Sequence, residues 1–215
     1  MNEKSGEVFS IAKDNEVING CTISKEVYHE ANTITYYSLA KKTDISKEIH
    51  PYYKFMIVAS GQCEVYGDKD CHTLRVGEAI VTPVDEPVGI RTDMSVIYTE
   101  LTIRRNDQMN EAIKVGEVFK LAELLPYQEG KIINMDVVHN EKMKFVIMSF
   151  DEGTGLSEHA APGEALIFGL EGEGIIGYEG KEHTIKAGEN FKFEAGGKHY
   201  VKAVSPFKMA LLLTL

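Results

Sequence analysis

The chain carries the same sequence pattern twice, and this internal repeat constrains its fold more than any other feature. The stretch GEVFSIAKDNEVINGCTISKEVYH begins at Gly6, and GEVFKLAELLPYQEGKIINMDVVH begins at Gly116, at an offset of 110 in the numbering. Further on, GQCEVYGDKDCHTLRVGEA from Gly61 matches GEGIIGYEGKEHTIKAGEN from Gly172 at an offset of 111. Because several spaced anchors agree, the chain is predicted to consist of two copies of one structural unit.

The ends of the two copies set the domain limits. They read LTI at 101–103 and LTL at 213–215, which requires a second inserted residue before the endings. The polar stretch RRNDQMNEAIKVG between the copies is the predicted linker. The sequence therefore predicts an N-terminal domain of residues 1–111 and a C-terminal domain of residues 112–215.

Each copy consists of short apolar runs separated by turn residues. KFMIVASG and ALIFGLEG are apolar and end in Gly, and the stretch after each of them alternates strand patterns with Gly or Asp turns. Short strands at this spacing are typical of antiparallel sandwiches and barrels. The chain is therefore predicted to be all-β, with one short helix in VFKLAELLPYQEG between the copies.

Composition and charge exclude several classes of function. The formal net charge is -10, and Lys and Arg gather into no patch, so no nucleic-acid partner is expected. The N-terminus MNEKSGEVFS has no apolar core of a signal peptide, and no apolar run is as long as a membrane span. Cys21, Cys63 and Cys71 lack metal-type spacing and indicate reduced thiols. We expect a cytoplasmic protein without a membrane partner.

Two stretches of the second copy, SEHAAPGEALIFGLEGEG (157–174) and GENFKFEAGGKH (188–199), resemble the two motifs of the cupin superfamily. The first family motif runs G, five residues, H-x-H, three or four residues, E, six residues, G. The second runs G, five residues, P-x-G, two residues, H. The resemblance implies two tandem double-sheet jelly-roll barrels from an internal duplication. Residues 116–215 also resemble small single-domain cupins of unassigned activity.

In that family three His and one Glu bind one metal inside the barrel, because side chains two apart on a strand face the same side. Two registers remain open for the first motif here. Counting back from Gly172 places the first His on His159, with Ala161 and Ala165 where the second His and the Glu belong. With four residues between His and Glu, Ser157 replaces the first His, His159 becomes the second, and Glu164 is the carboxylate, which requires a β-bulge.

The second motif keeps its ligand, because His199 stands at the family position, although Glu194 replaces the Pro. The first copy departs further from the family. Its residues at the family's two His positions and the Glu position are Glu48, His50 and Lys54, and Val88 stands where the second motif has its His. No metal is expected there, and His50 is predicted to be a polar group of a pocket or a satisfied core histidine.

The C-terminal barrel is therefore predicted to bind a small polar molecule around His159 and His199, where the alanines leave space for it. Binding is either direct or through one divalent metal, Zn, Mn, Fe, Ni or Cu, held by His159, His199 and Glu164. Two imidazoles alone hold a metal weakly. The alternative is a metal-dependent enzyme of the dioxygenase or isomerase class acting on a small metabolite. A homodimer is expected, since closed twofold dimers are the commonest oligomers.

Overall fold

The structure, a computed structural model, describes all residues 1–215 and consists of strands with two short helical turns, α1 (Ile11–Asp14) and a 3-10 helix (Leu121–Glu123). The strands are β1 (Val8–Phe9), β2 (Thr22–His29), β3 (Thr33–Leu39), β4 (Thr43–Ile49), β5 (Tyr53–Tyr66), β6 (Cys71–Arg75), β7 (Glu78–Val81), β8 (Pro87–Thr92), β9 (Val96–Ile103), β10 (Gln108–Met109), β11 (Val118–Lys120), β12 (Ile132–His139), β13 (Met143–Phe150), β14 (Gly155–Ala160), β15 (Glu164–Glu171), β16 (Glu173–Tyr178), β17 (Lys181–Lys186), β18 (Asn190–Phe193), β19 (Lys198–Ala203) and β20 (Phe207–Thr214). The prediction of an all-β chain is confirmed. No helix is long and apolar enough to cross a membrane.

The chain divides into two compact units. The N-terminal unit comprises residues 11–107 and 111–120 together with Met1, and the C-terminal unit comprises residues 2–10, 108–110 and 121–215. The two GEVF stretches account for most of this interleaving, because β1 pairs with β18 and β11 pairs with β7. The predicted limits of 1–111 and 112–215 stay a prediction, and the observed grouping differs from them in these short segments.

Two sheets form the C-terminal unit. One has seven strands in the order β1-β18-β15-β20-β13-β12-β10, and the other has four in the order β14-β19-β16-β17. Side chains alternate along each strand, so every second residue points into the space between the sheets, which we call the lumen. Phe150, Ile167, Phe191, Phe193 and Phe207 are buried in one apolar core there.

The N-terminal unit is organised around one long strand. The first half of β5 pairs with β7 and β9, and its second half pairs with β6 and β8, so that this strand belongs to both layers. Strands β3 and β2 extend the sheet beyond β9, and β4 pairs with β8. The apolar core includes Leu39, Met56, Val58, Leu74 and Ile90 from both halves.

A glycine allows the chain to pass from one layer to the other in each unit. Gly61 within β5 and Gly172 between β15 and β16 both have a φ of +73°, a backbone conformation that side chains disfavour. A Cβ atom on Gly61 would lie 1.9 Å from the Ser95 carbonyl oxygen, and one on Gly172 would lie 1.9 Å from that of Pro206. Only glycine fits at either position, which explains why these two anchors recur in the sequence.

The strand register differs from the sequence alignment at the ends of the copies. Lys54 on β5 lies opposite Thr102 on β9, and Ala165 on β15 lies opposite Leu213 on β20. Both residues of the second pair are 111 positions after those of the first pair, as Gly172 is after Gly61. The offset of 111 therefore continues into β9 and β20. The second insertion that was predicted before the endings is therefore not needed, and LTI at 101–103 corresponds to LLT at 212–214.

Candidate functional site

The two predicted histidines of the C-terminal unit lie side by side on neighbouring strands. His159 on β14 is directly opposite His199 on β19, and Leu156 is opposite Val201. Three residue steps along β14 thus match two steps along β19, which defines a β-bulge. Because directly opposed residues share a face of the sheet, the bulge turns both Leu156 and His159 to the face of Val201 and His199.

The N-terminal unit has the same bulge with different side chains. On β4 the register shifts between Ile45 and Glu48, and Glu48 lies opposite Val88 on β8. Ile45, Glu48 and Val88 are the repeat equivalents of Leu156, His159 and His199, at the offset of the two glycine anchors. The backbone therefore presents a facing pair at this place in both units, and only the C-terminal unit fills it with two imidazoles.

The environment of His199 is largely apolar. Its ring centroid lies 4.1 Å from that of Phe193 and 4.2 Å from that of His159. His199 is 8% exposed, whereas His159 is exposed to solvent. Burial lowers the pKa of His199 below its ordinary value, the Gly197 carbonyl opposes this shift, and the proximity of His159 adds to it. His199 is therefore a neutral imidazole at neutral pH.

Backbone carbonyl groups fix which ring nitrogen carries the proton. The Nδ1 atom of His199 is 3.1 Å from the Gly197 oxygen, and Nδ1 of His159 is 2.8 Å from the Ser157 oxygen. A carbonyl oxygen only accepts hydrogen bonds, so in the neutral ring Nδ1 donates and Nε2 is left as an acceptor. The pair thus offers two Nε2 acceptors, one on the largely buried ring of His199 and one on the exposed ring of His159.

The predicted third ligand points away from the histidines. On β15, Ala165 lies in the apolar core with Phe193, so its neighbour Glu164 faces the outer side of the sheet. There its carboxylate lies 2.8 Å from Nζ of Lys192, which also contacts Glu194 at 2.9 Å. Burial disfavours the charge of Lys192, but the two carboxylates overcome this effect and raise its pKa. Glu164 therefore has a partner in an ion pair.

A metal site does not form from these residues. No three or more His, Cys, Asp and Glu side chains come close enough together to hold an ion. Zinc sites take three or four protein ligands, and His159 and His199 supply two. Ala161 and Ala165, where the cupin motif has its other ligands, are buried members of the apolar core. The side chains present thus do not fit a divalent metal.

His50, the third predicted ligand-binding residue, belongs to the N-terminal unit. Its Nε2 atom is 3.1 Å from a carboxylate oxygen of Glu48, and its ring stacks on Tyr52 with a centroid distance of 5.0 Å. The side chain of His50 is 24% exposed. It is a partly exposed polar residue with two close neighbours, and not a fully buried core histidine.

Sequence reasoning placed Lys54 at the family's Glu position, but it missed the buried polar partners of Lys54 in the lumen of the N-terminal unit. Lys54 lies on β5, Tyr37 on β3, and Tyr98 and Glu100 on β9. The signal was present in VIYTELTI, where Tyr, Glu and Thr recur at every second position of a strand that is otherwise apolar. Such alternation places three polar groups on one face, but it does not reveal that β9 is buried on both of its faces.

Comparisons with known proteins agree with the fold. Residues 146–214, which run from β13 to the end of β20, match the family model Cupin_2, described as a cupin domain. No curated protein matches the chain. The resemblance that the second copy shows to cupins is therefore confirmed for this segment.

Solved structures match nearly the whole chain. A cupin 2 conserved barrel domain protein from Leptotrichia buccalis is 25% identical, with a TM-score of 0.86 over 99% of this chain and 98% of that one. Salicylate 1,2-dioxygenase from Pseudoaminobacter salicylatoxidans, in a structure of its adducts with gentisate, is 11% identical, with a TM-score of 0.62 over 89% and 73%. A putative glyoxylate-induced protein from Pseudomonas aeruginosa is 14% identical, with a TM-score of 0.59 over 90% and 80%. The last two show a shared fold and no more.

Proposed function

We propose that this protein binds a small polar molecule in its C-terminal unit, at the pair His159 and His199, without a metal. The observation that carries the proposal is the buried imidazole of His199 between Phe193 and His159. Both Nδ1 atoms face backbone carbonyls, so the Nε2 atoms are the remaining acceptors of this pair. A ligand with hydroxyl or N–H donors satisfies them, and the ring of Phe193 supplies an apolar wall.

The alternative of a metal-dependent enzyme has less support. It requires a third protein ligand, and the only candidate, Glu164, is bound to Lys192 on the outer side of the sheet. The dioxygenase among the similar structures shares the fold at 11% identity, which carries no activity over to this chain. Two imidazoles whose Nδ1 atoms face backbone carbonyls present hydrogen-bond acceptors, which suits the recognition of a ligand with donor groups.

Elemental analysis and non-denaturing mass spectrometry of the purified protein test this proposal. We expect less than stoichiometric transition metal before and after chelator, and a bound small molecule that is lost in His199→Gln but retained in the control His183→Gln. His183 lies on β17 beside Phe191, so the control removes an imidazole elsewhere in the same unit. One equivalent of metal that disappears with His199→Gln would instead support the enzyme.

Three further expectations belong to the same proposal. The matching bulges, glycines and strand registers support an origin of the two units by internal duplication, with two tandem cupin barrels as the result. A homodimer and a cytoplasmic location are predicted from the sequence. Sedimentation at several concentrations tests the dimer, which would have twice the chain mass of 24.0 kDa.

A further inference from the structure

The lumen of the N-terminal unit contains a buried ion pair and two stacked tyrosines. Nζ of Lys54 lies 3.6 Å from Oε1 of Glu100, and the side chains are 13% and 7% exposed. Directly across the neighbouring strands, Tyr37 lies opposite Tyr98, with ring centroids 5.0 Å apart and planes 10° from parallel. The parity of β9 places Tyr98 and Glu100 on the same face, together with the core residue Val96.

Two polar atoms of this group have no hydrogen-bond partner among the groups of the protein itself. They are the hydroxyl of Tyr98, whose residue is 0% exposed, and Oε2 of Glu100, whose residue is 6% exposed. An unsatisfied buried polar atom is costly and is rare in native proteins. Burial raises the pKa of Tyr98 well above its ordinary value, and burial raises that of Glu100 although Lys54 opposes it.

The fold itself does not require polar side chains at these places. In the C-terminal unit, the repeat-equivalent positions occupy the same register and are all apolar. They are Met148, Ala165, Met209 and Leu211, in place of Tyr37, Lys54, Tyr98 and Glu100. The same strand pairing therefore forms with apolar side chains, which would leave no unpaired polar atoms at these positions. These four polar side chains therefore need an explanation other than the stability of the fold.

The exposed fraction of these polar side chains increases from Tyr98 through Lys54 and His50 to Glu48. The residue Tyr98 is inaccessible, the side chain of Lys54 is slightly exposed, that of His50 is 24% exposed, and that of Glu48 is 57% exposed. The ring of Tyr52 stacks on that of His50 with centroids 5.0 Å apart, and burial together with the charges of Glu100 and Glu48 raises the pKa of Tyr52. Polar side chains thus extend from solvent to the unpaired atoms.

We propose that the lumen of the N-terminal unit is a second ligand site, which takes a small uncharged molecule bearing hydroxyl groups. A hydroxyl donates to Oε2 of Glu100 and also exchanges a hydrogen bond with the Tyr98 hydroxyl, so one group satisfies both atoms. Lys54 already balances the charge of Glu100, so a ligand of either charge would be buried without a counterion. The ring of Tyr37 forms a flat wall.

Ligand-observed NMR on the full chain tests this site with two uncharged probes, catechol and myo-inositol, and two charged ones, benzoate and benzylamine, at millimolar concentration. We expect at least one uncharged probe to bind, and neither charged probe to bind better. Removing one hydrogen bond in Tyr98→Phe, or the carboxylate in Glu100→Gln, should weaken binding about 10-fold, which corresponds to ~1.4 kcal/mol. Tyr66→Phe, on the other side of β5, should leave it unchanged.

Thermal unfolding without probe separates a binding role of the Tyr98 hydroxyl from a structural one. Because this hydroxyl has no partner, Tyr98→Phe should leave the melting temperature unchanged or raise it by about 2–4 °C. A lower melting temperature in Tyr98→Phe would mean that the hydroxyl stabilises the fold, and would overturn the proposal. So would binding of neither uncharged probe, stronger binding of a charged one, or equal affinity in Tyr98→Phe. If Glu100→Gln does not fold, Tyr98→Phe alone decides.

Discussion

The ring of His199 lies against Phe193 of the core and also against the imidazole of His159, which is exposed to solvent. Burial costs the charged form of a histidine more than the neutral form. A second histidine at a centroid distance of 4.2 Å adds to this cost whenever it is protonated. No carboxylate contributes to the shift at His199. The folded protein therefore resists the protonation of His199, while the unfolded chain does not.

This resistance predicts a pH dependence of stability. The pKa of His199 is lowered in the folded state from about 6.5 in the unfolded state, so stability is fully present above that value. This part of the stability should be lost as the pH falls from about 6.5 through the lowered pKa of His199 in the folded state. Urea unfolding between neutral and weakly acidic pH measures the loss. His199→Gln should lose less stability over this range than wild type, and His183→Gln should behave like wild type. Equal pH profiles for all three proteins would contradict the assignment.

At the level of single elements, the sequence predicted the strands because alternating apolar residues and glycine turns are local signals. It also placed glycine anchors correctly at the two positions where the chain passes between layers. The second register required a bulge before Gly172, and a register shift does lie there, between Gly169 and Glu171. The bulge on β14 was not predictable at its place. A bulge depends on how two strands distant in sequence align, and the residue pattern of β14 alone does not show where β19 begins to pair with it.

The glycine at the layer change should be among the most sensitive positions of the C-terminal unit. In Gly172→Ala the new methyl group would meet the Pro206 carbonyl at 1.9 Å, in addition to the cost of a positive φ. Gly188 is the matched control, because its φ is +82° and nothing lies within 4 Å of its Cβ position. Chemical denaturation should show a loss of about 1–2 kcal/mol for Gly188→Ala, from the left-handed backbone alone. Gly172→Ala should lose clearly more, and similar losses would mean that the strands shift apart easily.

At the scale of the whole molecule, the two units have the same strand register but differ at four matching lumen positions. These positions are polar in the N-terminal unit and apolar in the C-terminal unit. The sequence predicted the all-β fold from spacing and strand parity. It also predicted that His159 and His199 face each other across the lumen, whereas they are neighbours on adjacent strands. It did not predict that Glu164 faces outward or that the ion pair of the N-terminal unit is buried. Both depend on which strands cover a given face, and a linear pattern carries little information about that.

The contrast between the lumens leads to a test by substitution. Lys54→Met leaves the carboxylate of Glu100 buried without its counterion, which should destabilise the protein by about 3–5 kcal/mol. Adding Glu100→Leu removes that charge and places leucine where the C-terminal unit has Leu211. Replacing a buried ion pair by apolar side chains of similar volume is often neutral or stabilising by about 1–4 kcal/mol. The double variant should therefore recover the stability of wild type in urea unfolding.

The same double variant separates stability from function. If the ion pair is present for binding, Lys54→Met with Glu100→Leu should be as stable as wild type and should no longer bind the uncharged probes that the N-terminal unit takes. The C-terminal unit should be unaffected, since His159 and His199 are unchanged. A double variant as unstable as Lys54→Met alone would show instead that the pair specifies the fold of the N-terminal unit. The polar lumen would then be a structural feature, because its removal would cost stability that apolar packing does not restore.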